Sequence, residues 1–146
     1  MAIEFPVSPR TILLCDYAKG GFVPPEMVKR RPVVVISPRL PHRDGLCTVV
    51  PLSGSRPGHA VPYVVRVELS EPLPDPFGDR IFWAKCDMVG TVAFSRLDLF
   101  RTERGHDGRR RYIHPKMPPD VFGHLQDGIL FALGLGHLTK GREGTG

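Results

Sequence analysis

The run Val33-Val34-Val35-Ile36, bounded by Pro32 and by Ser37-Pro38, constrains the fold of this chain more than any other stretch. Consecutive β-branched side chains crowd a helical turn but pack well on a pleated surface. With breakers on both sides, the run predicts a short buried strand. The rest of the chain agrees, because sixteen Gly and sixteen Pro among 146 residues leave few windows open to a helix. Such punctuation predicts short strands and frequent turns.

Strands are predicted over 11–17, 32–37, 46–53, 61–68 and 81–92. Residues 70–79 hold three prolines and no periodicity, which reads as loop. Ser95 to Asp98 reads as a turn or short helix, and 99–101 pairs with 110–113 as a hairpin around Gly105-His106-Asp107-Gly108. One helix is predicted, from Asp120 to about Leu135, with Val121, Leu125, Ile129 and Leu133 as its apolar stripe and Phe122, Leu130 and Ala132 at the margin. Gly134 and Gly136 supply its stop. Gly123 and Gly128 inside it each cost about 1 kcal/mol against alanine, so tertiary packing must hold it. The tail from Thr139 is expected to be mobile. Together these elements predict a single mainly β domain over 1–146, a small curled antiparallel sheet or barrel capped by a C-terminal amphipathic helix.

Charge narrows the class of partner. A net charge of +5 and a pI near 9.4 favour an anionic one, either nucleic acid or an acidic protein. Cys15, Cys47 and Cys86 lie in or beside apolar runs without close spacing, and there is no secretory apolar segment at the start. Buried thiols in a reducing cytoplasm are expected. No run of apolar residues is long enough to span a membrane. The histidines form no ligand pair and no glycine-rich phosphate loop is present, so neither a metal nor a cofactor is expected. A Gly-x-Ser-x-Gly elbow is absent as well.

The ends of the predicted strands carry reactive side chains. Glu26 stands with Arg30 and Arg31 before one strand, Ser53 ends another, and Lys85-Cys86-Asp87 follows Ile81-Phe82-Trp83-Ala84. In a small barrel such ends meet on one rim. Arg, Lys, Asp and Ser together suit phosphodiester chemistry: a carboxylate accepts the proton of a ribose 2′-hydroxyl, and cations neutralise the charge growing on phosphorus-bound oxygens. Phe82 and Trp83 alternate, so one belongs to the core and the other is available to stack on a base. Arg109-Arg110-Arg111 reads either as a solvated face or as a contact for phosphates or an acidic protein.

These segments resemble, in order, the motifs of the PemK/MazF family of toxins from toxin–antitoxin pairs. Arg31-Pro32-Val33-Val34-Val35-Ile36-Ser37 is similar to the family's Arg-Pro-Val-Val-Val-Ile-Ser core, and Val49-Val50-Pro51-Leu52-Ser53 to its strand ending in Thr or Ser. Lys85-Cys86-Asp87-Met88 resembles the Arg-Cys-Asp-Gln of the Kid/PemK branch, and Thr91-Val92 to Arg96-Leu97 its next step. The resemblance covers roughly 11–136 and implies an SH3-like barrel with packed helices, usually dimeric. It further implies a metal-independent endoribonuclease of single-stranded RNA that leaves 2′,3′-cyclic phosphate and 5′-hydroxyl ends, inhibited by an acidic antitoxin. By position, Arg31 would stabilise the scissile phosphate or act as acid, Ser53 would supply the hydroxyl, and Glu26 would be the loop glutamate. Asp87 and Lys85 would stand for the branch's general base and acid, with Arg30, Trp83 and Arg109 to Arg111 as RNA contacts. Ser53 replaces a threonine, Lys85 an arginine and Pro25 a loop histidine. The same barrel also serves CcdB-like toxins, which poison gyrase without cleaving anything, and an inactive RNA-binding member is the remaining alternative.

Overall fold

The computed structural model describes residues 2–18, 21–104 and 107–139, with only the backbone of Glu103, Arg104 and Arg110. Nine strands and one α-helix are found among them: β1 Ile12–Asp16, β2 Arg30–Val35, β3 Leu46–Ser53, β4 Val64–Glu68, β5 Ile81–Lys85, β6 Gly90–Ala93, β7 Leu97–Asp98, β8 Phe100–Arg104, β9 Arg110–Ile113 and α1 Pro119–Ala132. The antiparallel main sheet runs β4-β5-β3-β2-β1-β7, with β6 on β3, and β8–β9 form a separate hairpin. The mainly β fold with one late helix is the one expected. The sheet is not closed into the expected barrel, since β6 and β7 follow each other through a 3₁₀ turn, Phe94–Arg96, without pairing.

Alternation along β2 divides the core between the two faces. Pro32 is buried at the start of the strand, while Val34, Val50, Leu52, Phe82 and Ala84 pack on one face beneath Phe122 and Leu125 of α1. Val33, Val35, Val49, Cys15 and Leu97 pack on the other, beneath Ile3, Val7 and Met27. A strand buried on both sides has no polar positions to alternate, which is why the valine run is continuous.

The predicted strand over 81–92 is instead broken, and the register shows how. From Leu52↔Ala84 to Val49↔Gly90, β3 retreats three residues while its partner advances six. The surplus forms a 3₁₀ turn, Cys86–Met88, bulging from the edge of β3. The fourth strand also begins later than expected, at Val64 after a turn at Pro62-Tyr63.

Helix α1 ends three residues earlier than its pattern predicts. Leu133 does not extend the buried stripe but lies 60% exposed, whereas Phe122 is buried rather than marginal. The stop is Gly134 at φ +77, with Leu135 N–H donating to Leu130 O (2.7 Å) and Gly134 N–H to Phe131 O (3.0 Å). Gly128 has a packing reason: a Cβ there would sit 2.9 Å from Cys86 Sγ and 3.3 Å from Pro62 O. Gly128→Ala is therefore expected to destabilise by about 1–2 kcal/mol despite its better helix propensity. Adding Cys86→Ala should recover part of the loss in thermal unfolding; equal stability of Gly128→Ala and wild type would contradict the close approach. The expected tail lies outside the described residues from 140 onward, as do Gly105 and His106 of the hairpin turn.

Candidate active site

Strand pairing brings separate parts of the sequence into one transverse row. Cys15 pairs with Arg31, Ser53 with Trp83, and Trp83 with Arg66. The β2–β3 register Val33↔Pro51, carried two residues further, sets Arg31 opposite Ser53. Arg31 shares its face with Val33 and Val35, and Ser53 shares it with Cys47 and Val49. Trp83 and Lys85 turn away from Phe82 and Ala84 and so complete this face on β5, both half-buried. Sequence reasoning names Arg31, Ser53, Trp83 and Lys85 separately; the sheet gathers them on one surface.

Arg31 is electrostatically the most unusual residue of the row. Its Nε is buried with no hydrogen-bond partner, and no carboxylate faces the guanidinium among the described residues. Burial lowers its pKa, opposed by its neighbour Tyr17. Tyr17 in turn is shifted upward by burial and by Cys15. A buried Nε–H without an acceptor is costly, and an anion bound at the guanidinium would offset that cost. Ser53 is nearly covered, and its Oγ accepts the backbone N–H of Ser55 at 3.2 Å, which orients the hydroxyl.

The two acidic candidates face a cleft beside the row. In loop 21–29, Phe22 meets Tyr17, just after β1, edge-on at 5.8 Å, and the guanidinium of Arg96, in the turn after β6, lies 4.9 Å from the Phe22 centroid. Arg96 also donates to Asp16 O at 3.1 Å, fixing the loop's root. Between loop and bulge lies a cleft of about 380 Å³ lined by Tyr17, Phe22, Glu26, Met27, Asp87 and Met88 among others. Asp87 rides exposed on the bulged 3₁₀ turn, while Glu26 Oε2 accepts Val23 N–H at 2.8 Å within its own loop. Tyr17, Phe22 and Arg96 escape sequence reasoning; the cation and ring at positions 96 and 22 meet only through the fold.

The remaining candidates lie elsewhere. Arg30 turns to the opposite side of β2 and approaches Asp98 at 4.0 Å. Arg109 and Arg111 are exposed on the β8–β9 hairpin, and the side chain of Arg110 lies outside the described residues. Burial pushes the Cys15 thiol up to about 11 and Cys86 to about 12, so these are inert packing groups at neutral pH. Among the described residues no three His, Cys, Asp or Glu gather as metal ligands would, and no helix is long and apolar enough to cross a membrane.

Comparison with known proteins places this arrangement in a family. The chain is 29% identical over 147 aligned residues to YifN, an uncharacterized protein of Escherichia coli K12, covering 89% of this chain and 93% of that one. It is 30% identical over 137 residues to an uncharacterized protein of Haemophilus influenzae, covering 87% and 90%. A mycobacterial endoribonuclease solved in complex with its cognate antitoxin shares the fold at a TM-score of 0.58 and 17% identity, covering 89% of this chain and 97% of that one. The Mycobacterium tuberculosis toxin MazF-mt6 shares it at 0.55 and 20%, covering 86% and 98%. Residues 8–110, which hold the whole row and both carboxylates, match the model of the PemK-like, MazF-like toxins of type II toxin–antitoxin systems, and the chain belongs to that family.

Proposed function

We propose that this protein is an endoribonuclease toxin that cuts single-stranded RNA by attack of a ribose 2′-hydroxyl, without a metal ion, and is neutralised by an acidic antitoxin. The observation that carries the reading is Arg31, a half-buried guanidinium with an unpartnered Nε, set across from the Ser53 hydroxyl. Its planar fork matches two non-bridging phosphate oxygens. Ser53 adds a hydrogen bond to one of them, and Trp83 offers a ring on which the adjoining base stacks.

The chemistry follows from where charge develops. Asp87 takes the proton of the 2′-hydroxyl, the 2′-oxygen bonds to phosphorus, and the bond from phosphorus to the 5′-oxygen breaks. Lys85 gives its proton to that leaving oxygen, so the products are a 2′,3′-cyclic phosphate and a 5′-hydroxyl. Arg31 holds the extra negative charge at the crowded phosphorus between these events. Glu26, across the cleft from Asp87, orders loop 21–29 and orients the ribose. Activity on messenger RNA in the cytoplasm by a homodimer is part of the same reading.

Purified protein incubated with a long single-stranded RNA in excess EDTA is expected to yield discrete fragments. Intact RNA at micromolar protein, with no antitoxin co-purified, would overturn the assignment. The gyrase-poison alternative predicts that result together with undiminished toxicity of Arg31→Ala.

A further inference from the structure

A second pocket, of about 180 Å³, opens at the far end of β2 and takes no part in the reaction above. Arg31 stands at the start of that strand, and Ser37, on the pocket wall, lies six residues further on, about 20 Å away at about 3.3 Å per residue. Arg39 and Arg43 line the pocket and no carboxylate does; Asp44, next along the chain, lies outside the lining. The turn Leu40–Arg43 is closed by Arg43 N–H donating to Leu40 O at 3.3 Å, with His42 at φ +59, and it carries both exposed arginines on one loop. Neither guanidinium meets an ion-pair or hydrogen-bond partner among the described residues.

The other polar side chains of the pocket also have hydrogens to give. Ser37 Oγ accepts Thr48 N–H at 3.0 Å, which leaves its own O–H with only the Cys47 sulfur, 3.9 Å away, among the described residues. Thr48 Oγ1 and Thr91 Oγ1 lie 2.9 Å apart; one hydroxyl donates to the other, and the second hydrogen of the pair is left to donate elsewhere. Burial raises the pKa of Cys47, so its thiol adds no negative charge. Beside these donors stand Val7, Leu40, Leu46 and Phe94, of which Leu40 and Leu46 are 50% and 37% exposed. Donors set among apolar walls suit an anion that carries hydrocarbon, whereas an inorganic anion would lose hydration against such walls without return. A cavity of about 150 Å³ holds one benzene ring, which sets the size of the hydrocarbon.

We propose that this pocket binds a small organic anion, a carboxylate on an apolar body of about one ring. An arginine fork takes the two carboxylate oxygens, Ser37 and the threonine pair add hydroxyl donors, and the body lies against Leu40, Leu46 and Phe94. Binding here does not depend on RNA cleavage, so a protein that never cuts RNA leaves the pocket standing.

Phenylacetate, one ring and one carboxylate, is the probe, and its uncharged amide, phenylacetamide, is the control. Each is titrated into wild type, Arg39→Gln and Arg43→Gln, with backbone amide resonances followed by NMR and each variant checked by thermal unfolding. For phenylacetate, saturable shifts confined to 37–48, 91–94 and the facing Pro6-Val7 segment are expected, with a Kd of about 1 mM or tighter. Phenylacetamide should bind about tenfold more weakly, and at least one arginine variant should weaken phenylacetate about tenfold while leaving phenylacetamide unchanged. Thr91→Val removes one hydroxyl donor and should weaken phenylacetate about threefold, which keeps the test open if an arginine variant does not fold. Equal affinity for acid and amide, or phenylacetate binding unchanged in all the variants that fold, would overturn the pocket. The same shifts produced by inorganic phosphate, or shifts spread over arginines elsewhere, would reduce it to general attraction of anions and equally overturn it. With no shift from phenylacetate, 3-methylbutanoate, a carboxylate on a branched aliphatic body, decides: binding that the same variants weaken supports the pocket, and silence overturns it.

Discussion

Arg31→Ala is expected to slow RNA cleavage by about a thousandfold while leaving the protein as stable as the wild type or more so. The two effects share one cause. Arg31 sits across from Ser53 with a buried Nε that nothing in the described structure satisfies, so folding bears a desolvation cost that substrate binding offsets. Alanine removes both the cost and the grip on the phosphate. Lysine restores the charge but not the fork or the Nε–H, and should recover only a small part of the rate. Single-turnover cleavage and thermal unfolding of the same preparations check this directly. A variant that loses both activity and several degrees of stability would instead make Arg31 a structural residue. Unchanged cleavage would remove it from the site.

Asp87→Asn should lower kcat by about a hundredfold or more, and Glu26→Gln by less than about tenfold. Both carboxylates line the same cleft, so the difference comes from their commitments. Glu26 uses an oxygen to accept Val23 N–H and hold the turn of its own loop, whereas Asp87 stands exposed at the bulge between β5 and β6. A carboxylate tied to its own backbone is a positioned wall; one projecting from a rigid turn is available to take a proton. Asparagine keeps the shape of Asp87 and removes only the basic oxygen, so the loss belongs in kcat rather than in KM. If Glu26→Gln proves the more damaging change, the base assignment reverses and Glu26 takes the proton.

The contrast between Arg31 and Asp87 also shows what is legible in the sequence. The span of β3 is legible at its observed limits, because Leu46 to Ser53 is an apolar run bounded by turn residues. Helix α1 is legible within a few residues, since a single amphipathic window survives the glycines and prolines. Its stripe reads too long. Leu133 continues the period of four residues but lies 60% exposed, outside the buried stripe. The bulge at Cys86–Met88 is invisible, because apolar character persists through Met88-Val89 and nothing local marks the surplus residues. Only the register against β3 exposes it, and that register is a long-range property.

Candidate site residues divide along the same line. Arg31, Ser53, Lys85 and Asp87 are identifiable as reactive groups at strand ends and by family resemblance, but the row that gathers Arg31, Ser53 and Lys85, with Asp87 in the cleft beside it, follows from pairings no single segment specifies. Tyr17 and Phe22 carry no motif, and Arg96 enters the sequence reading only as part of the Thr91-Val92 to Arg96-Leu97 resemblance, with no site role. They matter because the loop folds back on the sheet and stacks a cation over a ring. Arg30 reads from its position beside Arg31 as an RNA contact, and the fold sets it with Arg101 around Asp98, on the face opposite Arg31.

RNA cut by its own 2′-hydroxyl in a site built on Arg31 leaves product ends that identify the nucleophile. Fragments made by the purified protein in EDTA should resist 5′-end ligation until treated with polynucleotide kinase, and their 3′ ends should carry a 2′,3′-cyclic phosphate. Fragments with 5′-phosphate and 3′-hydroxyl ends would require water as the nucleophile and would exclude attack by the 2′-hydroxyl.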